Sequence, residues 1–249
     1  GKPLAYFDSA ASAHKPQAVI DAQSRYLAHT HSNIHRGVHA LAQEATEAYE
    51  AARETVRAHI GASSTKEILF VGGTTDGINL VAQTWGRTNL GAGDCIVLTR
   101  MEHHSNIVPW QMLALEQGFD IYVVELNEDG TLEGEMFEAH LARNPKLVAF
   151  THVSNALGTV NDVKHWTSRA HDAGATVLVD GAQSVPHLPV NVRDLDVDFY
   201  MFSGHKTYGP TGIGILYGKE ALLDAMPPYR GGGEMIGTCL LYTSPSPRD

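Results

Sequence analysis

Short, continuous apolar runs recur along this chain with helical segments between them, and that alternation narrows its fold more than any other feature. The runs are Ile68 to Val71, Cys95 to Thr99, Ile121 to Leu126, Leu147 to Thr151, Thr176 to Asp180, Asp198 to Phe202 and Ile213 to Tyr217. Runs apolar at nearly every position read as strands buried on both faces. Strands alternating with helices predict an α/β fold, a mostly parallel, seven-stranded-type sheet with helices on both faces. The short connection ahead of Ile213 predicts that the last strand turns back antiparallel. Helices are expected over Pro16 to Tyr26, Gln43 to Ile60, Ile78 to Trp85, Ile107 to about Gln117, within Gly130 to Leu141, and over Val163 to Ala173. Leu4 to Asp8 reads as a further short strand.

Two of the runs end in residues that carry chemistry. The run through Phe199-Tyr200-Met201-Phe202 stops at Ser203-Gly204-His205-Lys206-Thr207. A lysine just past a buried strand sits where its ammonium is partly desolvated, which suits an amine nucleophile or a proton shuttle. The run Thr176-Val177-Leu178-Val179 ends in Asp180, followed by Gly181-Ala182-Gln183-Ser184. In open α/β sheets ligands bind at the carboxyl ends of parallel strands. A carboxylate and a Schiff-base lysine at that edge are the pair that pyridoxal 5'-phosphate (PLP) needs. The aspartate keeps the pyridine nitrogen protonated, and the lysine holds the aldehyde as an imine. Ser203 and His205, flanking the lysine, can supply donors to the phosphate. A solvated turn lysine and a strand-end cap are the plain alternatives.

Other stretches carry weaker signals. Gly72-Gly73-Thr74-Thr75-Asp76-Gly77 lies between a strand and a helix, where free N–H groups and threonine hydroxyls suit an anion. It matches neither the P-loop nor the dinucleotide-binding pattern, and a tight turn before a capped helix would look the same. His103 and His104 are adjacent and make a poor chelate; one could lie against an aromatic ring or handle a proton near neutral pH. A helix start capped by Ser105 or Asn106 is the alternative. His35 and His39 are spaced like metal ligands on a helix, but Gly37 weakens the helix and an isolated pair completes no ligand set, so no metal site is expected.

The 249 residues, 43% hydrophobic and 18% charged, suffice for one sizeable domain. A formal net charge of −10 argues against nucleic acid and anionic membranes as partners. No long apolar span or signal-peptide core is evident. Two cysteines, Cys95 and Cys239, make no disulfide framework, and a reducing, cytoplasmic setting is expected.

Further stretches bear on the family: Tyr6-Phe7-Asp8-Ser9-Ala10-Ala11-Ser12, His35-Arg36-Gly37-Val38-His39, Gly73-Thr74-Thr75-Asp76-Gly77-Ile78-Asn79, Met101-Glu102-His103-His104-Ser105-Asn106-Ile107-Val108-Pro109-Trp110, Thr151-His152-Val153-Ser154-Asn155, Val179 to Gln183, and Phe202 to Gly212. With these the chain resembles the cysteine desulfurases of the SufS/CsdA type, class V aminotransferase-like PLP enzymes of fold type I. That group also contains selenocysteine lyases. The resemblance implies that residues 1–236 form the PLP-binding large domain, with the segment 1–40 packing on a further small domain. It implies that Lys206 holds the cofactor and Asp180 partners its ring nitrogen, while Gln183 donates to its phenolic oxygen. His103 would stack on the ring and act as an acid/base. Thr75, Ser203 and His205 would bind the phosphate, and Asn155 would lie near the ring oxygen and the substrate carboxylate. His35 is similar to a histidine that approaches a neighbouring subunit's site, which implies a homodimer.

The implied chemistry converts L-cysteine to L-alanine. An enzyme cysteine takes the sulfur as a persulfide, and a sulfur-acceptor protein collects it for iron–sulfur cluster assembly. Selenocysteine is the alternative substrate, and a kynureninase-like hydrolase the more distant one. The resemblance ends at Ile236, whereas members of the family continue for well over a hundred residues through the small domain and the nucleophilic cysteine's loop. Cys239 is outside that loop pattern. The tail 237–249 is therefore expected to be foreign to the family, and a non-catalytic PLP-binding fragment is the alternative function.

Overall fold

The computed structural model describes residues 2–231. The tail 237–249 and Cys239 lie outside the described residues. The strands are β1 (Ile68–Val71), β2 (Cys95–Thr99), β3 (Asp120–Val124), β4 (Leu147–Thr151), β5 (Thr176–Asp180), β6 (Phe199–Ser203) and β7 (Gly214–Gly218). The helices are α1 (Gln17–Arg25), α2 (Ala40–His59), α3 (Thr74–Val81), α4 (Arg87–Asn89), α5 (Val108–Gln117), α6 (Gly134–Leu141), α7 (Val163–Asp172), α8 (Val192–Leu195) and α9 (Glu220–Asp224). No helix among the described residues is long and apolar enough to cross a membrane.

The strands form one seven-stranded sheet in the order β1-β7-β6-β5-β4-β2-β3. β7 runs antiparallel to both β1 and β6, as its short connection predicts; the other pairs are parallel. Two reversals restore β1 to the sense of β6, so the turn after β1 opens at the same edge as the ends of β2, β4, β5 and β6.

The continuous apolar runs divide by parity, as period-2 strands require. Val97, Val148, Phe150, Val177, Val179, Tyr200 and Phe202 face one core with Phe137, Leu141, Val163 and Ala170 of α6 and α7. Ile96, Leu98, Leu147, Ala149, Leu178, Phe199 and Met201 face the other with Ile78, Val81, Trp110 and Leu113 of α3 and α5. Each large apolar side chain buried this way contributes about 1.5–3 kcal/mol.

Two expectations from the sequence need correcting. Leu4 to Asp8 is not a strand: among the described residues no partner strand lies alongside, and Leu4 and Phe7 are 89% and 93% exposed. α3 begins at Thr74 rather than Ile78, because a residue from β6 takes up the amide at its start.

Candidate active site

The site is assembled where five chain segments leave the same edge of the sheet. The first is the turn from β1 into α3. A Cβ on Gly214 of β7 would fall 2.5 Å from the Gly73 Cα, so glycine at both positions lets the turn lie directly on β7. The first amides of a helix lack intrahelical partners. Here the Thr74 N–H donates to Ser203 Oγ at 2.9 Å, and the two hydroxyls lie 2.8 Å apart. Gly77 N–H reaches back to the Gly73 carbonyl at 3.0 Å.

The second segment follows β5. Asp180 is 4% exposed, and its Oδ1 accepts from the Ala182 N–H at 2.9 Å. Burial pushes its carboxyl up, against the pull of that N–H and of the charges on Lys206 and His103. The turn is seated on the Tyr200 ring: a Cβ on Gly181 would lie 2.0 Å from that ring. The Tyr200 hydroxyl is 2.5 Å from Ser184 Oγ and 2.8 Å from His152 Nδ1, and Ser184 Oγ donates to the Gly181 carbonyl at 3.0 Å. With the serine proton so used, Tyr200 must donate to Ser184 and His152 Nδ1–H to Tyr200. Burial holds His152 down to about 4, which keeps it neutral in that role.

The third segment follows β6. Ser203 closes the strand and Gly204–Lys206 form one 3₁₀ turn, which places Lys206 at the rim. Burial, then the charges of Lys206 and Lys15, lower the His205 pKa. The N-terminal segment crosses here. Ala13 N–H and Lys15 Nζ both donate to the His205 carbonyl, at 2.9 and 3.1 Å. Gln183 Nε2 donates to the Ala10 carbonyl at 2.7 Å, which leaves its second N–H for another acceptor.

The fourth segment is the turn after β2. His103 Nδ1 accepts from the Ser105 N–H at 3.2 Å and lies 2.8 Å from Ser105 Oγ. The histidine thus caps its neighbour's backbone through Nδ1, which leaves Nε2 to carry a ring proton. The fifth is Thr151 to Asn155 after β4, where the His152 N–H donates to the Asp180 carbonyl at 2.9 Å.

Thr75, His103, Asn155, Asp180, Gln183, Ser203, His205 and Lys206, the residues singled out from the sequence, all line one cavity. Thr74, Ser105, Thr151, Val153 and Ala182 line it with them. His35 does not: it is exposed, its Nε2 is 3.4 Å from Glu50, and it borders a separate hollow with Gln43 and Glu47. His39 caps α2, its Nδ1 accepting from the Ala42 N–H. Cys95 opens β2 at the far end of the strand from the cavity, and burial pushes its thiol up.

The donor set fits PLP. A buried carboxyl awaits a cation, as a protonated ring nitrogen would supply. A helix start with two hydroxyls suits a phosphate dianion, and a lysine amine shares the rim. From the sequence, Thr74 reads only as part of the glycine-rich turn and Ser105 only as a helix cap, and no role falls to Glu102, Ser184 or Tyr200, whose partners lie across strands or turns.

Residues 5–246 match the family described as Aminotransferase class-V. A cysteine desulfurase of Escherichia coli O7:K1 is 56% identical over 241 residues, which cover 97% of this chain and 59% of that protein. The chain thus spans about three-fifths of that relative's length. Among solved structures, the cysteine desulfurase CsdA of Escherichia coli superposes with a TM-score of 0.86 at 42% identity, covering 94% of this chain and 58% of the other. The apo cysteine desulfurase of Thermococcus onnurineus NA1 gives 0.87 at 43%, covering 92% and 56%.

Proposed function

This chain belongs to the aminotransferase class-V family, and we propose that residues 1–236 form the PLP-binding large domain of a homodimeric cysteine desulfurase. The full enzyme converts L-cysteine to L-alanine and passes the sulfur, as a persulfide, to an acceptor protein for iron–sulfur cluster assembly. The observation that carries the proposal is the convergence of Asp180, Lys206 and the Thr74–Ser203 helix start on one cavity.

In this reading Lys206 holds the cofactor's aldehyde carbon through Nζ, and Asp180 holds its ring nitrogen. The free N–H of Gln183 would donate to the phenolic oxygen, and Asn155 would serve that oxygen and the substrate carboxylate. His103 would cover a ring face, and Thr75, Ser203 and His205 would hold the phosphate. Bound PLP supplies the electron sink that takes up charge when a bond at the substrate Cα breaks.

The chain's own residues do the rest. The Asp180 carboxylate, out of water, stabilises a positive nitrogen more strongly than it could in solution. Lys206 Nζ, at the rim of the cavity, would be the base to take the substrate Cα proton. His103, with Nδ1 held by Ser105, has its Nε2–H to donate. The sulfur leaves to a cysteine thiol, which is not Cys95: that thiol is buried, raised in pKa and at the wrong end of β2.

The test is a PLP titration of the chain and of Lys206→Ala. The proposal expects an absorption band near ~420 nm that needs Lys206. A folded chain without it contradicts the proposal.

A further inference from the structure

We propose that Glu102 is a positioning residue of the cofactor site: its carboxyl joins the end of β2 and the His103 turn to the end of β4 beside Asp180, where the backbone ladder between those strands has stopped. The inference rests on the cofactor reading above.

β2 and β4 are paired only at Ile96↔Leu147 and Val97↔Val148. Both strands run further, to Thr99 and Thr151, so their last residues part toward the cavity. A parting of parallel strands at their carboxyl ends is what opens a ligand crevice. It also strips Thr151 of a ladder partner on the β2 side. Glu102 fills that place. Its Oε1 accepts from the Thr151 N–H at 2.9 Å and pairs with the Thr99 hydroxyl at 2.5 Å, and its Oε2 accepts from Asn106 Nδ2 at 2.7 Å. Glu102 is itself only 8% exposed.

Each partner leads to the site. Thr151 is the register partner of Asp180 on β5. Asn106 ends the His103 turn, and its orientation is fixed because its Oδ1 accepts from Trp110 Nε1 at 3.0 Å. Glu102 directly precedes His103 in the chain. One side chain therefore sets the spacing between the histidine on one side of the cavity and the aspartate at its base.

The chemistry requires a carboxyl. With a proton or without one, Oε1 keeps a lone pair for Thr151 while serving Thr99, and Oε2 accepts from Asn106. A glutamine amide has a single oxygen, so its NH2 must face either the Thr151 N–H or the Asn106 NH2. One buried donor is then left unpaired.

The test compares wild type, Glu102→Gln, Thr99→Val and, as a control outside the cavity lining, Phe137→Leu, whose parent ring packs on Trp166 at 4.1 Å. Each chain is titrated with PLP, and the circular dichroism of the ~420 nm band is read per bound cofactor, alongside the thermal midpoint. A purely structural Glu102 would lower the midpoint, as Phe137→Leu does, and leave the dichroism per cofactor intact. The inference expects Glu102→Gln to bind PLP about tenfold more weakly and to lose most of that dichroism. Thr99→Val should show a smaller change in the same direction, and it serves as the reading if Glu102→Gln does not fold. Dichroism per cofactor that stays at the wild-type value in the folded variants overturns the inference alone. A wild-type chain with no Lys206-dependent band overturns the cofactor reading instead.

Discussion

Ser203 at the end of β6 accepts the first amide of α3, that of Thr74, from 129 residues away in the sequence. The bond joins the lysine-bearing turn to the helix start proposed to bind phosphate. Ser203→Ala leaves the buried Thr74 N–H unpaired, a loss of about 1–3 kcal/mol. It should lower the thermal midpoint and weaken PLP binding together. An unchanged midpoint, or weakened PLP binding without it, would show that the two elements are not coupled through this bond.

Gly181 admits no side chain while the Tyr200 ring lies where its Cβ would be. Gly181→Ala forces the Asp180–Gln183 turn or the ring to move, at a cost of about 1–3 kcal/mol or more. Urea unfolding measures it. A variant as stable as wild type would mean that the turn does not rest on Tyr200.

The PLP-free chain should lose stability with rising pH on the alkaline side of neutrality. Burial pushes Glu102 from an ordinary value of 4.5 up to about 8. The folded chain thus keeps a proton that the unfolded chain has given up. That contribution is full below the unfolded value and is lost as pH rises through about 8. Asp180, also raised by burial, acts in the same direction. His152 acts oppositely, since it is held down from 6.5 to about 4, but its contribution to the slope ends near pH 6.5. Thermal midpoints should therefore fall from pH 6.5 to about 8, and fall less in Glu102→Gln. A wild-type midpoint that rises over this window contradicts the assignment.

Much of this arrangement is legible in the sequence because it is local. The apolar runs give the strands, the residue after each run gives the site, and Lys206 and Asp180 stand at the ends of two runs. What is not legible is held from across the sheet. The start of α3 depends on Ser203, and the turn after Asp180 on a tyrosine in the neighbouring strand. Glu102 reads as one charge in a polar stretch until the parting of β2 and β4 is seen. Leu4 to Asp8 shows the opposite error: a strand-like pattern makes no strand without an edge to pair with.

The most direct measurement is the position of the covalent link. The chain is mixed with PLP, reduced with borohydride and digested, and the modified peptide is identified by mass spectrometry. Lys15 is the discriminating competitor, because its Nζ bonds the His205 carbonyl beside the same cavity. Modification at Lys206, absent in Lys206→Ala, is the outcome the account predicts. Modification at Lys15 or another lysine in place of Lys206, or none in a folded chain, would contradict it.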